Sequence, residues 1–250
     1  NKKLRIQHSH FKGSVVMKNK MERELFVPLS HCDNTSRLSV PFMFNLFMDI
    51  ATDHANELHL SSKDLGENMF WLATRTKVIV NRRPEMSEKV TLATWPEKAV
   101  RVRANRHYTI IDEQGVAIAG KTEWAVINTQ SGKLQRLNDI YGEDFDFCED
   151  VSCEESYARV KDNFDDAEIF AEYTIHSTDI DVGQHMNNAA YVRALFSLFS
   201  CKELEKSSVR EIDITYKNQS FEGETLTIKV REAEDGAFEY GMIKPDSTVA

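Results

Sequence analysis

The chain has 250 residues, of which 41% are hydrophobic and 28% are charged. This composition supplies enough apolar side chains for a core and excludes intrinsic disorder. Forty acidic against 31 basic residues give a net charge of −9, which excludes a general nucleic-acid-binding role. The longest stretch without a charged residue, Leu38–Met48, is about half as long as a membrane span requires, so we expect no membrane-spanning segment.

The hydrophobic pattern predicts a helix followed by strands in the first half of the chain. Ser39 and Pro41 are typical of a helix start, and the apolar side chains after them recur at helical spacing as far as Leu58. Stretches of alternating apolar and polar residues, separated by turn residues, then predict antiparallel strands. These strands cover Trp71–Val80, Lys89–Trp95, Arg101–Ile111 and Val116–Asn128.

The second half follows the same order. A strand, a helix and three more strands are predicted in turn over Ile169–Thr178, Asn188–Leu204, Val209–Tyr216, Thr225–Val230 and Phe238–Ile243. Asp33–Phe47 overlays Asp181–Leu195, and Arg75–Leu92 overlays Arg210–Thr227, which indicates a weak internal repeat. The repeat predicts two related α+β domains.

We therefore divide the chain into two domains, 21–137 and 169–250, which are joined by an acidic linker over 138–168. Residues 1–20 are set apart as a leader that we expect to be partly non-native. Between Asn188 and Cys201 only Arg193 is charged, and apolar side chains occur on every side of the predicted helix. A helix of this kind is enclosed by other structure, so we expect an antiparallel sheet curled around it.

Two motifs match known signatures but fail in their context. Gly115–Thr122 matches the phosphate-binding loop pattern, yet the residues after it predict a strand instead of the required helix. His54–His59 resembles the zinc-binding motif of zinc proteases, in which two histidines four residues apart bind one metal ion. Here the two histidines are five residues apart, so on a helix they cannot reach one metal ion. We therefore expect neither a nucleotide cofactor nor a metal. The four cysteines form no CxxC pair and are too few for a disulfide framework, so we expect a cytoplasmic protein.

Basic residues are concentrated between Arg75 and Arg106, where nine of them stand against three acidic residues. A basic surface of this kind suits an anionic partner. The alternative is that these side chains lie on the solvent-facing side of strands, where lysine and arginine are common. The sequence leaves both interpretations open.

The segment Asp179–Asn188 carries the chemistry of the chain: two carboxylates, an imidazole, a glycine and three amides directly before the second helix. Backbone amides at a helix start are free donors with partial positive charge, so they can stabilise an oxyanion. Gly183 allows the backbone to approach a ligand closely, and Asp181 and His185 can exchange a proton with a water molecule. The segment predicts a site that polarises a carbonyl group. The alternative is a polar loop with Asn187 as helix cap.

DIDVGQHMNNAAYV, Asp179–Val192, is similar to the signature D-x-D-x-N-x-H-x-N-N-x-x-Y of the acyl–acyl carrier protein thioesterases. Met69–Glu97, Gly120–Leu137 and Ile212–Leu226 also resemble strands of that family, in family order. The resemblance implies an α+β fold of two tandem hotdog domains, each an antiparallel sheet wrapped around a central helix. Because the sequence shows neither the leading transit peptide nor the hydrophobic anchor of the plant members, we expect it to be of the bacterial type of the family.

The activity that the resemblance implies is hydrolysis of the thioester between a fatty acyl chain and the phosphopantetheine of acyl carrier protein, without a cofactor or metal. Carried over residue by residue, the family's Asp falls on Asp181, its His on His185 and a following Asn on Asn187. The family's Asn between them is replaced by Gly183. Its later Glu is replaced by Gln219, which can orient a water molecule but cannot accept a proton.

Asp181 is therefore expected to activate the water, with Glu222 or Glu211 as the alternative, while His185 and the helix-start amides polarise the carbonyl. The first copy of the repeat has Arg37 in place of His185, so we expect one active site, in the second domain, and an acyl-chain pocket in the first. Candidate pocket walls, although residues of these types more often belong simply to the core, are Phe42, Met43, Phe47 and Trp71.

Two other functions remain open at this stage. An acyl-CoA thioesterase would use the same chemistry on a different carrier, and its phosphates would also attract basic residues. A non-catalytic acyl-binding module would explain Gly183 and Gln219 as signs of a decayed site. The expected partner is an acyl carrier protein, and the chain is expected to act as a monomer or homodimer.

Overall fold

The computed structural model describes residues 15–17, 19–233 and 235–250, so most of the leader, residues 1–20, lies outside the described residues. The helices within these ranges are α1 Val40–Glu57, α2 Leu137–Tyr141, α3 Asn188–Phe196 and α4 Cys201–Lys206. The strands are β1 Val15–Met17, β2 Lys20–Phe26, β3 Met69–Val80, β4 Lys89–Pro96, β5 Ala104–Asp112, β6 Gly115–Asn128, β7 Lys133–Leu134, β8 Glu168–Thr174, β9 Glu211–Thr215, β10 Thr225–Glu232 and β11 Phe238–Ile243. Of the helices in these ranges, none is long and apolar enough to cross a membrane.

An eight-stranded antiparallel sheet forms the larger layer, in the order β1-β2-β4-β5-β6-β3-β9, with β7 beside β6. Strand β9 comes from the second half of the chain and pairs antiparallel with β3, so that Thr76 lies opposite Ile214. The other strands of the second half form a three-stranded antiparallel sheet in the order β11-β10-β8. One strand of the second half therefore completes the edge of the sheet that the first half builds.

Helix α1 packs its apolar stripe against the larger sheet. Ser39 precedes the helix with extended backbone, and Pro41 lies in the first turn, where its missing N–H is not needed. Phe47 and Ile50 are fully buried in the main hydrophobic cluster, and Phe47 stacks on Tyr108 of β5 with ring centroids 4.6 Å apart. The predicted helix is confirmed, because the helical spacing of these apolar residues matches the face that the sheet covers.

Helix α3 lies between α1 and the smaller sheet. Ala189 and Val192 belong to the hydrophobic cluster around α1, whereas Ala190 packs with Leu226 of β10. Arg193 is exposed. The helix is therefore enclosed on two sides and not on every side, and the larger and smaller sheets supply the enclosure together with α1.

The predicted helix over Asn188–Leu204 is interrupted. Helix α3 ends at Phe196 and α4 begins at Cys201. The Ser200 hydroxyl accepts a hydrogen bond from the Glu203 N–H, and the Glu203 carboxylate accepts one from the Ser200 N–H. Because this capping box satisfies the first amides of a new helix, the chain starts α4 there instead of extending α3.

The predicted acidic linker, residues 138–168, forms a strap that lies first along the larger sheet and then beside β10 of the smaller sheet, where Lys229 donates to the Phe164 carbonyl. The Trp95 indole N–H donates to the Asp150 carbonyl at 2.7 Å, and the Lys121 ammonium donates to the Cys153 carbonyl at 3.0 Å. These donors come from the sheet, and the acceptors are backbone oxygens of the strap. The strap is held there chiefly through its backbone.

The basic segment between Arg75 and Arg106 does not form a free basic surface. Six of its nine basic side chains bond to other side chains of the described chain: Lys77 to Glu211 and Asp213, Arg82 to Glu88 and Asp112, Arg83 to Asp33, Lys89 to Glu24, Arg103 to Glu123, and Arg106 to His54. Lys98 and Arg101 are exposed. Contacts with other side chains of the same chain therefore account for most of the basic residues in this segment.

His54 in the last turn of α1 and Arg106 of β5 form a buried polar pair. One terminal nitrogen of the guanidinium lies 3.0 Å from His54 Nδ1 and 3.4 Å from the Thr94 hydroxyl. The exposed fraction is 0% for His54 and 7% for Arg106. Burial, with a contribution from the Arg106 charge, lowers the pKa of His54 to about 3.

This shift predicts a pH-dependent loss of stability. Below pH 6.5 the unfolded chain protonates His54, whereas the folded chain keeps it neutral down to about pH 3. Because the unfolded state then binds more protons, the free energy of unfolding decreases as the pH is lowered. Between pH 6.5 and 5.0 the loss is about 2 kcal/mol. We expect His54→Gln to remove this part of the dependence in urea unfolding at pH 7 and pH 5.

The matched control is His59→Gln, which changes an exposed histidine just beyond the same helix. This variant should keep the pH dependence of the wild type. An unchanged pH dependence in His54→Gln would show that His54 is not the group responsible.

Candidate active site

The signature segment forms a tight loop between β8 and α3. The Asp181 N–H donates to the His185 carbonyl and the Gln184 N–H donates to the Asp181 carbonyl, both at 3.0 Å. Ile180 and Met186 form a β-bridge at the base of this turn. Gln184 takes a φ of 63°, in the left-handed region, which reverses the chain. The turn brings the side chains of Asp181 and His185 together.

Asp179 holds the N-terminal end of the loop in place. Its carboxylate accepts hydrogen bonds from the Tyr173 hydroxyl at 2.9 Å, the His176 N–H at 3.0 Å and the Arg193 guanidinium at 2.7 Å. Only 2% of the residue is exposed. Burial would raise the pKa of Asp179, but these bonds outweigh it and lower the pKa. Asp179 therefore stays ionised and acts on the position of the loop.

Asp181 and His185 form the centre of the candidate site. His185 Nδ1 lies 3.9 Å from Asp181 Oδ1 and 3.3 Å from the Met186 carbonyl. The same Asp181 Oδ1 accepts the Gly183 N–H at 2.7 Å. The Asp181 and His185 side chains are 26% and 15% exposed, so a ligand can reach them. Phe70 of β3 meets the imidazole edge-on, with centroids 6.5 Å apart, so the first half of the chain supplies a wall.

Gly183 is required for space. A Cβ atom on this residue would lie 2.8 Å from His185 Nε2 and 3.0 Å from Asp181 Oδ1. Real Cβ contacts are longer than this, so the imidazole or the carboxylate would have to move. The imidazole and the carboxylate pack so closely over residue 183 that this arrangement fits a glycine and not the asparagine of the family.

Asn187 caps helix α3. Its side-chain oxygen accepts the Ala189 N–H at 2.8 Å, and its carbonyl accepts the Ala190 N–H at 2.8 Å. The interpretation of Asn187 as the helix cap is confirmed. Because these two amides are bonded inside the loop, they are not free to stabilise an oxyanion in this arrangement.

Gln219 lies in the neighbouring loop, with an exposed side chain. The Lys244 ammonium donates to its carbonyl, and the Met186 N–H donates to the carbonyl of the next residue, Ser220, at 2.8 Å. Among the described contacts, no hydrogen bond joins the Gln219 side chain to Asp181 or His185. The structure thus brings Asp181, Gly183 and His185 together. Gln219 lies one residue before Ser220, whose carbonyl accepts the Met186 N–H of the signature loop.

The two alternative carboxylates are placed differently. Glu211, at the start of β9, is bonded by the ammonium of Lys77 on β3. Glu222 is exposed in the turn before β10. Within the described residues neither carboxylate bonds to His185. Asp181 remains the carboxylate beside the imidazole.

Tyr191 and Ser220 are neighbours of the site that the sequence analysis did not select. Tyr191 is 9% exposed and its ring lies 6.0 Å from that of Tyr216. Burial raises the pKa of Tyr191, and smaller effects of Glu224 and Asp181 act in the same direction. Ser220 is fully buried, and its hydroxyl finds no hydrogen-bond partner in the described part of the chain. Tyr191 could have been selected from the sequence, because it is the tyrosine that ends the family signature. No sequence motif marks Ser220.

The four candidate wall residues of the acyl-chain pocket lie at different places in the structure. Met43 and Phe47 are fully buried in the main core. The Trp71 indole donates to the Leu60 carbonyl at 2.7 Å and packs near Trp124, at another part of the sheet. Phe42 lines a cavity beside the first copy of the repeat.

Comparisons with known proteins extend over most of the chain. Residues 18–145 match the model of the acyl-ACP thioesterase N-terminal domain, and residues 163–245 match that of the C-terminal domain. The chain is 24% identical over 195 residues to a chloroplastic palmitoyl-acyl carrier protein thioesterase of Gossypium hirsutum, covering 72% of this chain and 47% of the relative. It is 20% identical over 226 residues to oleoyl-acyl carrier protein thioesterase 1 of Arabidopsis thaliana, covering 83% of this chain and 62% of the relative. The chain therefore spans about half the length of the plant relatives it matches.

Solved structures share the fold. An acyl-ACP thioesterase of Bacteroides thetaiotaomicron superposes with a TM-score of 0.83 at 24% identity, covering 92% of this chain and 94% of that one. The 12:0-ACP thioesterase of Umbellularia californica gives a TM-score of 0.82 at 17% identity, covering 94% and 95%. The predicted α+β fold of two tandem hotdog units is confirmed. The two domain models, matched in order along the chain, establish that it belongs to the acyl-ACP thioesterase family.

Proposed function

We propose that the protein hydrolyses the thioester of fatty acyl chains carried on acyl carrier protein and releases the free fatty acid. The observation that carries the proposal is the Asp181 carboxylate held beside the His185 imidazole, 3.9 Å apart, in a loop at the start of a half-enclosed helix. Membership of the family supports the choice of substrate. No metal or organic cofactor is needed for these steps.

In the proposed reaction Asp181 accepts a proton from the attacking water through Oδ2, because Oδ1 already accepts the Gly183 N–H. His185 polarises the thioester carbonyl. Its Nδ1 faces the Met186 carbonyl and the Asp181 carboxylate, and its Nε2 donates to the thioester carbonyl as negative charge develops there. The carbon–sulfur bond then breaks, the sulfur takes up the proton that Asp181 accepted from the water, and the carrier leaves as a thiol while the Asp181 carboxylate is regenerated.

Gln219 and Asn187 have supporting roles in this proposal. The amide of Gln219 orients the water from the neighbouring loop, since an amide can donate and accept but cannot take a proton at neutral pH. Asn187 holds the start of α3 and so positions the loop before it. Gly183 leaves room for the two reacting side chains.

We further propose that the half formed by residues 21–137 encloses the acyl chain and that 169–250 carries the catalysis, with 138–168 as the connection. Burial of an alkyl chain contributes roughly 0.8 kcal/mol per methylene, so an apolar enclosure supplies most of the binding free energy. The four free cysteines suit the reducing cytoplasm. The protein acts as a monomer or homodimer.

The direct test is the release of free fatty acid, measured by mass spectrometry, from carrier-protein and CoA thioesters of matched chain lengths. We expect wild-type turnover on the carrier protein and a loss of roughly 10²-fold or more in Asp181→Asn and in His185→Ala. Val182→Ala is the matched control, because Val182 is 93% exposed in the same loop. Full turnover in a folded Asp181→Asn protein would contradict the assignment of the base.

The same assay separates the alternatives. Preference for CoA thioesters would identify an acyl-CoA thioesterase. Tight binding of acyl chains without release by the wild type would identify a binding module. Rising salt should slow turnover on the carrier protein if a charged protein surface docks it.

Gly183→Ala provides a second prediction. The added methyl group would displace the imidazole or the carboxylate, and a misplacement of about 1 Å lowers a rate by roughly 10²-fold. We expect kcat to fall by about this factor while the melting temperature changes little, because the loop is at the surface. A Gly183→Ala protein with wild-type kcat would show that the packing of His185 over residue 183 does not matter for turnover.

A further inference from the structure

A cavity of about 450 Å³ opens beside the first copy of the repeat. It lies between the start of α1, the end of β3 and the segment from α3 to β9. Asp33, Arg37 and Ser39 line it, and these residues overlay Asp181, His185 and Asn187 of the second copy. The counterpart of the catalytic loop therefore faces a cavity of the size typical for small-molecule sites, roughly 300–1,000 Å³.

The lining of this cavity is rich in guanidinium groups. Five arginines line it, against Asp33 as the single acidic side chain of the lining: Arg37, Arg82, Arg83, Arg193 and Arg210. Arg82, Arg83 and Arg193 bond to carboxylates, which fixes their positions. Arg210 makes no ion pair among the described residues, and Arg37 has only a contact of 3.5 Å with the exposed Glu85.

The lining of the cavity also includes an apolar wall. It is formed by side chains from α1, α3, α4 and the approach to β9: Val40, Pro41, Phe42, Phe196, Leu204 and Val209. A cavity lined by both guanidinium groups and apolar side chains matches a molecule with an anionic head group and an alkyl chain.

The exchange of imidazole for guanidinium decides the chemistry. An imidazole such as that of His185 has one ring nitrogen that can donate a hydrogen bond and one that can accept it, whereas the guanidinium of Arg37 has donors only. A guanidinium instead binds carboxylates and phosphates through paired N–H donors.

We propose that this cavity, the arginine cavity, is a binding site for an alkyl chain with an anionic head group, of which a free fatty acid is the simplest case. The head group binds to Arg37 and Arg210, and the chain lies along the wall that includes Phe42 and Phe196. The proposal uses the repeat and the lining of the cavity but not the hydrolytic activity, so it holds or fails separately from the proposed function.

The test is binding of dodecanoate, dodecyl phosphate and dodecanol to the full chain by isothermal titration calorimetry. A diazirine-bearing dodecanoate then maps the site by photolabelling and peptide mass spectrometry. All measurements include Asp181→Asn, which changes the catalytic loop and leaves the arginine cavity intact. We expect both anionic ligands to bind Asp181→Asn and the wild type alike, and the label to fall on 40–42 and 196–209.

The double variant Arg37→Gln and Arg210→Gln should weaken binding of the anionic ligands roughly tenfold or more, because charge-assisted hydrogen bonds are lost. Lys206→Gln is the matched control, since it removes one positive charge from the exposed end of α4, outside the lining. Circular dichroism confirms that each variant is folded. Dodecanol bound as tightly as dodecanoate, labelling confined to 179–191, or affinity unchanged in the double variant would each overturn the proposal.

Discussion

The pairing of β3 with β9 sets the position of the second half of the chain against the first. Lys77 of β3 bonds to Glu211 and, at 3.1 Å, to Asp213 of β9, and only 3% of its side chain is exposed. Removal of one partner from a buried ion pair costs roughly 3–5 kcal/mol, so this register is strongly preferred. With β9 in place, α3 packs against α1, and Phe70 of β3 comes into contact with the imidazole of His185.

A second buried charge, on Asp179, determines the precision of the candidate active site. The bonds from Tyr173, His176 and Arg193 hold this carboxylate in one position. Two residues further on, Asp181 begins the turn that ends at His185. A reacting pair needs placement to within a fraction of an ångström, and a surface loop without such an anchor would not provide it. Asp179 thus holds the loop in place, and Asp181 supplies the accessible carboxylate of the candidate site.

The two copies of the repeat have diverged in chemistry while keeping their place in the fold. Each has an aspartate at the start of a loop before a helix that packs in the core. In the second copy the loop carries an imidazole that can transfer protons, and in the first it carries the guanidinium of Arg37. Asp33 is bonded by Arg83, so its charge is neutralised in the first copy. One chain therefore carries the candidate active site and the arginine cavity on the same local plan.

The sequence by itself determined the local elements and the chemistry of the signature. Alternation and helical spacing are local properties, so the predicted strand Phe238–Ile243 and the start of α1 agree with the structure. The signature likewise placed Asp181, Gly183 and His185 in one loop, because they are close in sequence. Only the tertiary structure decided what depends on distant contacts: the transfer of β9 to the larger sheet, the use of the basic segment in internal ion pairs, and the position of Gln219. The reason is that pairing partners such as Lys77 and Asp213, more than 130 residues apart, leave no local pattern that marks them as neighbours.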